Sequence, residues 1–175
     1  MANREALREL QSRLAERLQL ARTESRSASW LAIECADQGF LVPLTGAGEI
    51  FPVGTLLPVP HTRPWFLGVA NLRGGLHGVV DLAAFLGLRA PLAADAPRDQ
   101  ARLLALGGAI GAHCALWVDR LSGLRSAEQL SAEPDDGVLR PVFASARWRD
   151  TEGRTWQELD LAALARHEHF LGIAA

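Results

Sequence analysis

Two short apolar runs, Trp65 to Ala70 and Leu76 to Val80, flank the stretch Asn71-Leu72-Arg73-Gly74-Gly75. Asn and Gly tolerate the positive φ that tight turns demand, so this stretch predicts an antiparallel hairpin with a charged arginine at its tip. Asp81 ends the second run, where its carboxylate can cap free N–H groups. Leu82 to Leu86 then has room for about one helical turn before Gly87 stops it. A chain built of such units, with Gly and Pro punctuating many short strands, favours a small β-barrel or sandwich over a parallel sheet.

The rest of the chain follows the same plan. Trp30 to Glu34, a turn at Asp37-Gln38-Gly39, and Phe40 to Leu44 predict an earlier hairpin, and Glu49-Ile50-Phe51-Pro52-Val53 a further short strand. Pro58, Pro60 and Pro64 mark an irregular connection, because proline cannot donate to a strand ladder. Pro91 to Gln100 reads as a polar linker. Beyond it, Leu103 to Leu106 with Cys114 to Val118, and Pro141 to Trp148 with Thr155 to Leu159, predict two more hairpins. The second of these ends in Asp160-Leu161-Ala162-Ala163-Leu164, which echoes Asp81-Leu82-Ala83-Ala84-Phe85. The repeat predicts two similar β-subdomains, roughly 30–90 and 101–173, packed within a domain spanning 30–173. Phe170, Leu171 and Ile173 in the tail are expected to dock on a barrel. Residues 1–29 are expected to hold an amphipathic helix capped by Asn3, with Leu7, Leu10, Leu14 and Leu18 on one face, followed by the polar linker Thr23 to Ser29. Such a helix either packs on its own domain or docks on a partner.

Composition excludes several classes. A net charge of -2 with no basic stripe argues against nucleic acid as a partner. The first twenty residues are charged throughout and offer no apolar signal core, and no run approaches a membrane span, so no membrane insertion is expected. Two cysteines, Cys35 and Cys114, lie in apolar settings and fit reduced core thiols of a cytoplasmic protein. All 18 positive charges are arginine, which would suit bidentate contacts with carboxylates but is equally what a codon bias towards Arg and Ala produces.

Enzyme-like chemistry finds little support. His167 and His169 are two apart and His113 adjoins Cys114, so a small metal-dependent hydrolytic enzyme using the three histidines is the alternative reading. No carboxylate or Cys-x-x-Cys completes a metal set, and no Ser or Cys sits in a nucleophile motif. The glycines at 74, 75 and 78 lack the ending of a phosphate-binding loop. His77 reads as a barrel histidine, and Asp81 and Asp160 as helix caps. No cofactor is expected. Surface chemistry remains. Phe51, Trp65 and Phe66 near the irregular segments would suit a protein–protein contact if partly exposed. Arg73 could pair with Glu49 or Asp81, or reach a partner.

The stretches Pro43-Leu44, Glu49-Ile50, Pro60, Gly68-Val69-Ala70-Asn71-Leu72-Arg73-Gly74, Val79-Val80-Asp81-Leu82 and Leu86-Gly87-Leu88 resemble, in order and spacing, the CheW-like domain family. In the second half, Leu116-Trp117-Val118-Asp119-Arg120-Leu121 and Leu159-Asp160-Leu161 are similar to its later signatures. The run Arg63-Pro64-Trp65-Phe66-Leu67-Gly68-Val69-Ala70-Asn71 is most like the CheW-type adaptors of type IV pilus (twitching motility) chemosensory systems. The resemblance implies two packed, SH3-like, five-stranded β-barrel subdomains and a non-enzymatic adaptor. It implies as partners the cytoplasmic tip of a methyl-accepting chemoreceptor and the regulatory domain of a CheA-type histidine kinase, at polar or membrane receptor arrays. A regulatory domain split from such a kinase would share the same fold. On this footing the expected partner-binding residues are Glu49, Phe51, Val53, Trp65, Asn71, Arg73 and Gly74. The family's usual valine and arginine before the glutamate are Ala47 and Gly48 here, its frequent proline before Val79 is Gly78, and the N-terminal helix is longer than the family plan requires.

Overall fold

The computed structural model of the chain describes residues 28–92 and 99–175. The N-terminal helix expected from Leu7, Leu10, Leu14 and Leu18 lies outside the described residues, as does most of the expected linker from Pro91 to Gln100.

The first hairpin is β1 (Ala28–Cys35) with β2 (Gln38–Pro43), joined by Ala36 and Asp37, both at positive φ. Next come β3 (Ala47–Pro52), the hairpin β4 (Phe66–Leu72) with β5 (Gly75–Asp81), and the single helical turn α1 (Leu82–Phe85). The Asp81 carboxylate accepts from the Ala84 N–H, and Gly87 sits at φ 71° just beyond, as the start and stop signals require. The second half runs β6 (Arg102–Leu106), β7 (Cys114–Val118), β8 (Arg120–Ser126), β9 (Leu130–Ala132), β10 (Ala144–Asp150), β11 (Thr155–Leu159), α2 (Leu161–Arg166) and α3 (Glu168–Leu171). Asp160 caps α2 as Asp81 caps α1, accepting from the N–H groups of Ala162 and Ala163. The echo in sequence is an echo in structure. In the tail, Phe170 is buried and Ile173 packs against the core, but Leu171, expected to dock beside them, is 64% exposed.

The chain is mainly β and forms two sheets. One has six strands in the order β8-β1-β2-β11-β10-β9, the other five in the order β3-β6-β7-β5-β4. The two repeats exchange their first hairpins: β1–β2 joins the sheet built by β8, β10 and β11, while β6–β7 joins the sheet built by β3, β4 and β5. Each exchanged hairpin is flanked by two seams at matching places in the repeats: an antiparallel one, β1 with β8 and β6 with β3, and a parallel one, β2 with β11 and β7 with β5. Each sheet therefore draws on both the 30–90 and the 101–173 segment, and the linker between those segments separates neither sheet. Local hairpin signals mark which strands pair in sequence, but they do not say which sheet a hairpin enters.

Strand alternation assigns side chains to three cores. Leu31, Ile33, Phe40, Val42, Val80, Leu104, Leu106, Leu116 and Val118 point into the space between the sheets, the largest cluster. Their neighbours Leu103, Ala115, Trp117 and Val79 fill the inside of the five-stranded sheet, and Ala32, Leu41, Leu130 and Trp156 that of the six-stranded sheet. The five-stranded sheet curls far enough for Leu57, after β3, to exchange both backbone hydrogen bonds with Val69 of β4 (2.8 and 2.9 Å). Gly68, at φ 122°, makes that approach possible, since a Cβ there would stand 2.2 Å from the Leu57 carbonyl oxygen.

Two buried charges among the described residues tie the sheets and loops together. Asp81 receives Arg89 at 2.6 Å, and the other arm of Arg89 reaches Asp119 at 3.0 Å. Asp119 in turn accepts from the Ala36 N–H at the β1–β2 turn. Glu34 on β1 receives Arg154, Arg120 and the Ser122 hydroxyl. Burial alone would raise the Glu34 pKa, but these hydrogen bonds outweigh it and hold the carboxyl at about 2 against an ordinary 4.5. A group with a depressed folded-state pKa stabilises above its ordinary value and loses that stabilisation as pH falls towards the folded one. The wild-type protein should thus exceed Glu34→Gln in stability by about 2–3 kcal/mol at neutral pH. In urea titrations the gap should close between about pH 5 and 2. A gap that does not change with pH would refute the assignment.

Cys35 and Cys114 are free thiols, and burial pushes both up to about 12, so neither ionises near neutrality. Among the described residues no helix is long and apolar enough to cross a membrane.

Candidate partner-binding site

Leu72 pairs with Gly75, which leaves Arg73 and Gly74 as a two-residue hairpin loop at φ 50° and 84°. Both positions need positive φ in the mirror-image turn that matches strand twist, and Gly supplies it without strain. The Asn71 side-chain oxygen accepts from the Gly74 N–H at 2.7 Å and fixes the loop. Held this way, Arg73 extends to Glu49 of β3 and pairs with it at 2.6 Å. The pair joins the two edges of the five-stranded sheet, since β3 and the β4–β5 hairpin lie at opposite ends of its strand order. Asp81, the other candidate partner for Arg73, is fully buried and bound to Arg89.

The Arg73 and Glu49 side chains are 76% and 43% exposed. An ion pair so open to water contributes about 0–1 kcal/mol to stability. Its structural effect is orientation: it presents an acid and a base at fixed positions on the surface. Exposed Ile50 adjoins Glu49 in sequence, and exposed Leu76 stands opposite Asn71 across the hairpin. A charged pair flanked by apolar side chains is a surface that a protein partner can recognise.

The other expected contact residues divide. Phe51 and Val53 are half-buried and pack against the core of the five-stranded sheet, so only part of each faces outward. Trp65, expected at a contact surface, is instead a core residue at 6% exposure. It meets Phe85 edge-on at 5.2 Å and stacks on Phe170 at 6.4 Å. The tail helix α3 closes over it, a long-range contact that the residues around Trp65 do not disclose.

Of the three histidines of the enzyme reading, His167 and His169 flank one aromatic cluster, in which Phe143 and Phe85 meet at 6.0 Å, while His113 lies against His77. His113 packs edge-on against His77 at 5.6 Å, His167 against Phe143 at 5.1 Å, and His169 stacks on Phe85 at 5.1 Å. Among the described residues, no group of three or more His, Cys, Asp or Glu could hold a metal ion.

Two apolar loops escaped the sequence reading. Leu57 and Val59 are exposed in the connection from β3 to β4, and Val138, Leu139 and Val142 in the connection leading into β10. These connections occupy matching places in the two repeats. Loop residues carry no periodicity, so only the presence of large aliphatics amid Pro, Asp and Gly could have marked them.

The CheW-like domain model matches residues 29–169. The chain is 29% identical over 169 residues to Protein PilI of Pseudomonas aeruginosa, covering 93% of this chain and 89% of that protein. It is 38% identical over 60 residues to the chemotaxis protein CheW of Rhizobium meliloti, covering 34% of this chain and 39% of that protein. The fold is similar to the crystal structure of the scaffolding protein TtCheW from Thermoanaerobacter tengcongensis, with a TM-score of 0.61 at 15% identity, covering 77% of this chain and 89% of that one.

Proposed function

The chain belongs to the CheW-like domain family, and we propose that it acts as a non-enzymatic adaptor coupling the cytoplasmic tip of a methyl-accepting chemoreceptor to the regulatory domain of a CheA-type histidine kinase. The pathway we assign is the chemosensory control of type IV pilus twitching motility, on the strength of a likeness to PilI that runs through 93% of the chain. The site of action is the cytoplasm, at receptor arrays. The observation that carries the adaptor reading is the exposed Glu49–Arg73 pair, held at 2.6 Å by a preformed turn. Asn71 and Gly74 act by shaping that turn, and Phe51 and Val53 by presenting apolar edges. The two exposed apolar loops at matching places in the repeats would give each partner a surface of similar design. Such contacts are individually weak, and arrays supply avidity.

The experiment is a pull-down of the full chain against regulatory domains of pilus-type and flagellar CheA kinases, with and without a receptor tip. Selective capture of the pilus-type domain is expected, whereas no capture by any kinase domain would overturn the reading. In a reconstituted kinase assay, Arg73→Ala should weaken receptor-dependent control by about tenfold, equivalent to about 1.4 kcal/mol. Its unfolding free energy should change by less than about 1 kcal/mol. Unaltered control from the folded variant would remove Arg73 from the site.

A further inference from the structure

A groove of about 510 Å³ opens beside the point where the chain enters β1. Pro43 at the end of β2 and Gly46 in the β2–β3 connection form one wall, Ala109 and Ile110 of a single 3₁₀ turn another, and Ala162 of α2 a third. Its charged groups are Glu158, Asp160 and Arg166, two acids against one base. The groove is firmly built, because the Gly107 N–H donates to the Gly46 carbonyl at 2.8 Å and so ties the first wall to the second. Leu44, between the lining residues Pro43 and Thr45 in sequence, donates its N–H to the Ser29 carbonyl at 3.0 Å. The first described residues, Ala28 and Ser29, therefore lie near the rim of this groove.

What precedes Ala28 is a segment of 27 residues with a leucine at positions 7, 10, 14 and 18. That spacing places the four on one face of a helix. The segment carries six arginines and four glutamates in a chain whose net charge is -2, so it is basic and the remainder is acidic. Arg13 and Arg17 flank Leu14. A segment basic in sequence, with an apolar spacing, is thus joined to the described chain next to an acidic groove with apolar walls.

We propose that residues 1–27 dock into this groove of the same chain, with the leucine face towards Ala109, Ile110 and Ala162 and the arginines towards Glu158 and Asp160. The nine residues between Leu18 and Ala28 can span up to about 30 Å, so the tether permits docking in cis. A tether this short also supplies an effective concentration of about millimolar, so a weak contact is enough to fill the site. The docked segment makes the groove unavailable to any other helix with a similar apolar face, and the chain carries its own competitor. This inference stands whether or not the adaptor reading does.

The test is disulfide trapping in the full chain, with Cys114→Ala removing the half-buried native thiol. Leu14→Cys is combined with Ala109→Cys in the groove, or with exposed Glu152→Cys at the far end of the β10–β11 hairpin as control. On mild oxidation the groove pair should form an intramolecular disulfide at least about tenfold faster than the control pair, because only docked segments bring the thiols within bonding range. Adding Leu10→Glu should abolish that preference. Equal rates for the two pairs, a preference that survives Leu10→Glu, or disulfides formed only between chains would each overturn the proposal, the last by showing that the segment seeks a second copy.

Discussion

Arg89→Ala should lower the unfolding free energy by about 3 kcal/mol, at the low end of the range for breaking a buried ion pair. The physical reason is the partner left behind. Asp81 has no exposure, and Arg89 is the cation that meets its carboxylate, at 2.6 Å. The Ala84 and Leu92 N–H groups would still donate to Asp81, at 3.3 and 3.2 Å, which is why the low end applies. Burial disfavours the Arg89 charge, yet the Asp81 and Asp119 carboxylates overcome this and raise its pKa. Loss of the side chain also frees Asp119 from the link between α1 and the β1–β2 turn. Urea unfolding at neutral pH measures the effect, and Arg89→Lys should fall between wild type and Ala because an ammonium cannot fork to both carboxylates. A loss below about 1 kcal/mol for Arg89→Ala would show that water reaches Asp81 and takes over the role of the guanidinium.

Trp65→Ala should cost about 3–5 kcal/mol by the cavity it leaves among Phe85, His169 and Phe170. This prediction separates two accounts of the same residue. As a contact residue, Trp65 would lower partner affinity in a protein of unchanged stability. As a core residue, its loss lowers the thermal midpoint and loosens the tail, while partner binding measured well below that midpoint stays near wild type. Reduced affinity at wild-type stability would return Trp65 to the surface. Because its carbonyl accepts from the Asp81 N–H at 2.8 Å, part of the loss should spread to α1.

The contrast between Arg73 and Trp65 shows where sequence reasoning ends. Arg73 was legible because the constraint on it is local: Asn71 and Gly74 demand a turn, and the turn leaves the arginine side chain outside. Glu49 was named among its candidate partners from charge and position alone. Trp65 was not legible because its neighbours Phe85 and Phe170 come from α1 and the tail helix, 20 and 105 positions away in the chain. The hairpins and both capped turns could be read from Asn, Gly and Asp at fixed offsets. The exchange of hairpins between sheets could not, since β1 alternates in the same way whether it meets β8 or β3. Arg89 also went unnoticed. It follows Leu88 in an unremarkable stretch, and only the folded chain brings Asp81 and Asp119 to its two arms.

The exchange of hairpins also constrains how the protein is made. Synthesis runs from the N-terminus, so β1 and β2 leave the ribosome before any other strand of the sheet they belong to. When Ala90 emerges, the β4–β5 hairpin and β3 still lack the two strands that stand between them. The five-stranded sheet can close only after Val118, and the six-stranded sheet only after Leu159 has followed. Pairings this distant along the chain are slow to form. For most of its translation the nascent polypeptide therefore holds open strand edges, the condition in which neighbouring chains on one messenger are able to pair with each other instead.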